Sequence, residues 1–202
     1  DARKSRGLGD VYKRQEDYYW GMGLTAEEVA NQYSVSREDQ DKFAYESHQK
    51  AVKALEEKKF DSQIAPITVN EVYLDENLKK KERQTTFNQD QGPRKDTSIE
   101  ALSKLRPVFS SSGSVTAGNS SQMSDGAAFV MIVSEDMLKK LNIEPIAKLV
   151  SYSVAGLPPK IMGMGPVRAV PKALKQANMK INDIELIELN EAFASQSIAV
   201  IN

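Results

Sequence analysis

The chain has no cysteine and only one histidine, His48, among its 202 residues. The missing cysteines exclude disulfides and thiolate metal sites. A single histidine cannot assemble a metal centre without carboxylate help. The sequence also lacks an excess of either charge: 27 Lys and Arg stand against 28 Asp and Glu, a net charge of −1. That balance argues against a dedicated partner in nucleic acid or anionic membrane. No apolar run approaches the roughly 20 residues that span a bilayer. The basic stretch Asp1–Gln15 is followed by no apolar segment, so it does not read as a signal peptide. It has neither helical nor strand period. It fits a translated cloning or sequencing linker, a non-native leader, with a disordered basic arm as the alternative.

What is present is a helical first part and an alternating second part. Thr25-Ala-Glu-Glu28 has the form of a capping box and predicts a short helix to about Tyr33. Ser36-Arg-Glu-Asp39 caps a longer helix, on which Phe43, Ser47, Ala51, Ala54 and Leu55 share one face. Ile64–Val69 reads as an edge strand broken by Pro66. Asp75–Arg94 is polar and without period, an excursion over the surface in which Lys79–Lys81 is solvated. Thr97-Ser-Ile-Glu100 caps a helix through Leu105. Ala127–Val133, Ile146–Ser153 and Ile184–Leu189 read as strands, the first and last apolar enough for burial on both faces. Helices are predicted at Ser134–Leu141 and Val167–Asn178, the latter opened by Pro166, with Pro171 giving a kink or a late start. Strands alternating with helices imply α/β layers. A weak boundary lies near Asn142–Pro145.

Two stretches carry chemistry. Val115-Thr-Ala-Gly-Asn-Ser-Ser-Gln-Met-Ser-Asp-Gly-Ala-Ala128 packs glycine, asparagine and hydroxyls into a loop. Its glycines, with Gly113, permit positive φ and close approach of the backbone. On composition alone it is a solvated turn; alternatively, it presents N–H groups and hydroxyls to something bound beside it. Asn190-Glu-Ala-Phe-Ala194 follows a strand and precedes a helix, the place where ligands bind in such sheets. Asn190 is equally a good N-cap, and both can hold. Gly163-Met-Gly-Pro166 lacks the third glycine of a dinucleotide fingerprint and is read as structural. His48 sits among Gln49 and Lys50 with no partner pattern and reads as a surface residue.

Val-Thr-Ala-Gly-Asn-x-Ser followed by Asp-Gly-Ala-Ala, together with Asn190-Glu-Ala-Phe-Ala-Ser-Gln196, resembles the thiolase family. Ser151-Tyr-Ser-Val-Ala-Gly-Leu-Pro-Pro159 is similar to the degradative 3-ketoacyl-CoA branch, and the likeness runs from about Glu16 to Asn202. It implies a partial, layered αβαβα thiolase-like fold, with a mostly helical loop-domain segment ahead of the alternating part. It implies that Ser121 bonds the pantetheine arm of coenzyme A, that Ala117 lies along that arm, and that Phe109 lines the pocket. Asn190 would hold an oxyanion-site water, Phe193 would close over the acyl end, and Met22, in Trp20-Gly-Met-Gly23, would line the acyl pocket. Arg94 falls where the family can place a basic residue near the adenine end; a solvated arginine is the alternative. Coenzyme A is then a co-substrate, nothing is bound covalently, and no metal is expected.

The family's nucleophilic cysteine, its Gly-His-Pro histidine and its second cysteine have no counterpart here. The resemblance puts the first before residue 16 and the others after 202. It therefore implies an internal fragment: residues 1–15 a leader, 16–141 the remainder of the N-terminal domain with its loop domain, and 142–202 the start of a truncated C-terminal domain. As written, the chain is expected not to turn over substrate, since covalent catalysis cannot omit its nucleophile. The full-length protein would transfer an acyl group to coenzyme A by thiolysis of 3-ketoacyl-CoA in fatty-acid β-oxidation. It would partner acyl-CoA and coenzyme A and assemble as a homodimer or homotetramer. The compartment is read as bacterial cytoplasm, with the peroxisomal matrix as alternative. A non-catalytic thiolase-like carrier of acyl-CoA or lipid is the rival from another class. A condensing enzyme of fatty-acid or polyketide synthesis is disfavoured by the Asn-Glu-Ala-Phe loop.

Overall fold

The structure, a computed structural model, describes residues 19–202. The leader assigned to residues 1–15 lies outside them. Helices α1 (Met22–Gln32) and α2 (Arg37–Glu56) come first. The strands β1 (Ile67–Leu74) and β2 (Lys80–Phe87) follow, then the short helices α3 (Ile99–Ser103) and α4 (Glu135–Leu141). A 3₁₀ turn over Pro159–Met164 leads into α5 (Gly165–Ala177), and α6 (Ala194–Ile201) comes last. Among the described residues no helix is long and apolar enough to cross a membrane.

Local chemistry explains most helix starts. Ser36 caps α2: its Oγ accepts from Asp39 N at 3.0 Å and donates to the Asp39 carboxylate at 2.7 Å. Ser134 caps α4 through Met137 N, and Ser98, not Thr97, caps α3 through Ala101 N. The capping box expected at Thr25 is not formed. Helix α1 begins three residues earlier, and Thr25 Oγ1 donates back to Met22 O at 2.7 Å from inside the helix. Helix α5 starts at Gly165, ahead of the expected Val167, and continues through Pro171.

Helix α1 packs on the Pro159–Met164 turn and on α6, and α2 packs on α3 and α6. Val29, Val35, Met164 and Ala199 form the core at this junction. The elements that carry the two chemical stretches are thus joined through α6. Ser195 Oγ donates to Ala26 O at 3.1 Å, and Gln196 Nε2 donates to Gly163 O at 3.0 Å. The latter contact gives the Gly163 turn a structural task.

The excursion expected over Asp75–Arg94 contains a strand instead. β2 pairs antiparallel with β1, Ile67 opposite Phe87 and Leu74 opposite Lys80. Pro66 stands just before β1 rather than within it. Polar side chains join the strands: Thr68 to Thr86 through their hydroxyls at 2.9 Å, Gln84 to Asn70 at 3.0 Å, and Arg83 to Glu71. These cross-strand pairs are invisible to a search for apolar alternation. Lys80 and Lys81 are exposed, as expected.

The three strands predicted in the second part are not formed as paired strands. Among the described residues the only sheet is the β1–β2 hairpin. Phe129 is 98% exposed, Ile146 105% and Leu186 88%, so the anticipated burial is absent. Among the described residues no other strand makes ladder bonds to them, and a strand is defined by such bonds. Residues 151–157 still alternate half-buried and exposed, the period of an extended chain. Ser151 and Ser153 hang this segment on α5, donating to Ala173 O (2.9 Å) and Ala169 O (2.6 Å).

The bare run Phe129-Val130-Met131-Ile132 is larger than a single scattered apolar residue and predicts stickiness. The 202-residue chain is expected to enhance the fluorescence of 8-anilinonaphthalene-1-sulfonate and to self-associate at micromolar concentration. Val130→Asp with Ile132→Asp should reduce both; an unchanged dye signal would show the run to be covered.

Candidate functional site

The glycine-rich loop is shaped from beneath by buried polar groups. The Glu27 carboxylate of α1 accepts from Ser114 N at 2.8 Å and from Val115 N at 2.9 Å. Asn119, 3% exposed, ties the loop to itself and to α2. Its Oδ1 accepts from Thr116 N at 2.8 Å, and its Nδ2 donates to Ser114 O at 3.1 Å and to Asp41 Oδ1 at 3.0 Å. Asp41 in turn receives Arg37 Nε at 2.7 Å, and Arg37 Nη2 donates to Leu102 O and Leu105 O. Gln40, fully buried, adds a bond from Nε2 to Ser114 Oγ at 2.9 Å. A buried carboxylate without such partners would be costly. Here it fixes the loop's course.

Gly113 and Gly118 serve close approach; no glycine among the described residues has positive φ. A Cβ at Gly118 would stand 2.5 Å from Leu102 Cδ2, and one at Gly23 would stand 2.1 Å from the Phe109 ring. Gly126 has nothing within 4 Å, so the role expected of it is not seen.

The two chemical stretches meet. Ser121 N donates to Ala192 O at 2.9 Å, and Ala194 N donates to Asn119 O at 2.9 Å. Ser120 and Phe193 form an isolated antiparallel bridge. This pairing sets Phe193 edge-on to Phe109, with centroids 6.1 Å apart and planes at 81°. Beside it opens a cavity of about 1250 Å³, walled by residues 117–124 on one side and 89–97 on the other, over Leu102, Leu105, Val108 and Phe109. A smaller cavity of about 750 Å³, lined by Trp20, Glu27 and Arg37 among others, holds none of the expected site residues.

Phe109, Ala117, Ser121 and Arg94 line the larger cavity. Phe193 packs on its Phe109 wall. Met22 does not line it; it is 48% exposed and reaches the site only through its neighbour Gly23, against which Phe109 rests. Asn190 is exposed and also outside the lining. It is not an N-cap either: Phe193 is the N-cap of α6, three residues on. Four residues intervene between the expected strand and the helix, and the peptide bonds of 192–194 are spent on the glycine loop instead.

His48 was expected on the surface. It lines the cavity, half-buried, and its Nδ1 accepts from Arg94 N at 3.2 Å. Partial burial, and secondarily the Arg94 charge, hold its pKa below the usual histidine value. Sequence reasoning also missed Glu27, Gln40, Asp41 and Asn119. Gln40 and Asp41 left a trace: they precede Ala44 on the buried side of α2, where polar residues need partners. Among the described residues no cluster of His, Asp or Glu is placed to hold a metal.

Comparison with known proteins joins these observations. A thiolase N-terminal domain model matches residues 3–136, and a thiolase C-terminal domain model matches residues 143–202. A 3-ketoacyl-CoA thiolase of Bacillus subtilis (strain 168) is 52% identical over 189 residues, covering 94% of this chain and 48% of the relative. The crystal structure of Bacillus anthracis acetyl-CoA acetyltransferase superposes with a TM-score of 0.78 at 44% identity, over 89% of this chain and 43% of the other. That of human mitochondrial 3-ketoacyl-CoA thiolase gives 0.77 at 43%, over 89% and 43%. The α/β fold is therefore shared in part. The chain spans about half the length of the curated relatives it matches.

Removing Asn119 leaves Asp41 Oδ1 and Thr116 N without their partner. Asn119→Ala should cost about 2–3 kcal/mol in denaturant unfolding. Asn119→Asp should cost more, because it sets a second carboxylate against Asp41. A loss under about 0.5 kcal/mol, the range of a surface change, would show that the loop is not held this way.

Proposed function

The chain belongs to the thiolase family, and from that premise we propose that it forms the acyl-CoA-gripping part of an acetyl-CoA C-acyltransferase. The reaction is thiolytic: the nucleophilic thiolate attacks the 3-keto carbon of a 3-ketoacyl-CoA and the C2–C3 bond breaks. The acetyl-CoA carbanion takes a proton and leaves. A second coenzyme A then attacks the acyl-enzyme thioester, releasing the shortened acyl-CoA and returning the thiolate. The observation that carries the reading is the pair of backbone bonds, Ser121 N to Ala192 O and Ala194 N to Asn119 O, joining the two turns beside one cavity.

Each residue has a task in this reading. Ser121 offers its hydroxyl to the pantetheine amides, and Ala117 leaves room along the arm. Phe109 and Phe193 form an apolar clamp at its inner end, supported by their edge-to-face contact. Arg94 forms no ion pair among the described residues, which leaves its guanidinium for the phosphates of coenzyme A. Asn190, exposed and three residues before Phe193, holds the water of the oxyanion site in this reading; a donor aimed at developing charge is worth about 3 kcal/mol. Met22 borders the acyl group behind Gly23. Coenzyme A is a co-substrate in this scheme.

A polypeptide of this sequence has no cysteine and so no thiolate nucleophile. The same proposal has the complete enzyme assembling as a homodimer or homotetramer, in keeping with the bare apolar run at Phe129–Ile132. It divides the chain at about residue 142 between two thiolase domains and sets the enzyme in a bacterial cytoplasm.

Calorimetric titration with coenzyme A should show saturable binding to the 202-residue chain, weakened severalfold by Phe109→Ala. Acetoacetyl-CoA cleavage by the same chain should stay at background. A polypeptide extended to the relatives' full length should cleave it. Binding without cleavage in the extended protein would favour the carrier, and no binding by either would end the proposal.

A further inference from the structure

The cavity wall formed by residues 89–97 has no regular structure of its own. Between β2 and α3, its ties to the rest of the molecule run through side chains. On one side it meets the glycine loop at Gly92, where a Cβ would stand 2.6 Å from Gln122 Nε2. On the other side it is tied to α2 twice. Lys95 pairs with Glu56 at 2.6 Å, but those side chains are 80% and 58% exposed, and such a pair contributes little. The second tie is the half-buried one, Arg94 N to His48 Nδ1 at 3.2 Å.

We propose that His48 is a positioning residue for ligand binding: its neutral imidazole accepts the Arg94 backbone N–H and so holds the cavity wall where the Arg94 guanidinium can receive the phosphate end of a coenzyme A thioester. The inference rests on the coenzyme A reading above and assigns a residue to which that reading gives no task. Donation by Arg94 N requires a lone pair on Nδ1, so only the neutral ring can serve. The same burial and the same Arg94 charge that lower the histidine's pKa keep that form present at neutral pH. Of the other charged groups nearby, Asp90 and Asp96 line the same cavity, Lys95 is engaged by Glu56, Glu191 accepts from Ser47 Oγ at 2.5 Å, and Glu46 and Lys50 lie along α2.

Because the folded pKa is depressed, the tie is complete above the unfolded histidine value of about 6.5 and is lost as pH falls through the lower folded value. A protonated ring would also turn two donors toward each other.

The test uses the 202-residue chain, coenzyme A as ligand, and two variants. Asn carries Oδ1 two bonds from Cβ, as histidine carries Nδ1, but does not titrate. Calorimetry should show wild-type affinity constant from pH 8 to 7 and falling about fivefold to tenfold toward pH 5. H48A should be weak by that factor at every pH, and H48N should hold near-wild-type affinity with a flat profile. In the free protein the Arg94 amide resonance should move with the histidine titration and be immobile in H48N. Affinity that rises on acidification, with H48N as weak as H48A, would make the imidazolium a direct phosphate contact and overturn the positioning role. H48A binding as tightly as wild type would overturn it too. If wild type fails to bind at pH 8 while the Arg94 amide still follows His48, the coenzyme A reading has failed and the proposal with it, although the tie itself exists.

Discussion

The bond between Asp41 and Asn119 is the contact on which the rest of the site depends. Asp41 is 2% exposed, and an isolated carboxylate at that depth would be expelled or neutralised. Arg37 and Asn119 satisfy it from opposite sides. The amide of Asn119 then has a fixed orientation, and its oxygen fixes Thr116 N. With the loop's course set, its outer edge offers Asn119 O and Ser121 N to the backbone of 192–194. That pairing sets Phe193 against Phe109. A polar knot under the loop thus determines an apolar contact above it, and through it the shape of the cavity.

Features governed by neighbours in sequence were legible in the sequence. Ser36 caps its helix as read, and the helix read from Ser134 starts there with Ser134 as its cap, because a cap needs only a hydroxyl and an N–H three residues on. Thr25 shows the limit of that rule: the same spacing occurs inside a helix, where the hydroxyl bonds backward. The first strand of the hairpin is legible in part, at Ile64–Val69, but β2 and the pairing escaped because the strands are joined by Thr, Asn, Gln, Glu and Arg rather than by an apolar face. In the site, Phe109, Ala117, Ser121 and Arg94 fall together, since a motif that resembles a family carries that family's geometry. Asp41 and His48 escaped because their roles depend on partners 78 and 46 residues away, which no local pattern announces.

In the second part of the chain the expected strands stay unpaired among the described residues. Residues 151–157 keep the two-residue period and bond α5 from alternate positions, so one side is already packed. The other side shows Tyr152 and Val154 to solvent. Ala127–Ile132 and most of Ile184–Leu189 stand exposed in the structure, with Val133, Ile184 and Leu189 half-buried. Apolar composition leads to an expectation of burial that the structure does not bear out, because burial needs a partner surface. The helical junction of α1, α2 and α6 does not share this dependence, because its contacts close within the chain. The candidate site stands on that self-sufficient half.

The glycine loop, braced by the Asn190–Ala194 turn, is proposed to hold one thioester ligand in the cavity beside them. A crystal structure of the 202-residue chain with coenzyme A tests it most directly. The pantetheine arm is expected along Ala117 and Ser121, its thiol end near Phe109 and Phe193, and its phosphates toward Arg94. Coenzyme A seated in the smaller cavity by Trp20 and Glu27, or the bonds between Ser121 and Ala192 broken to admit it, would contradict the claim.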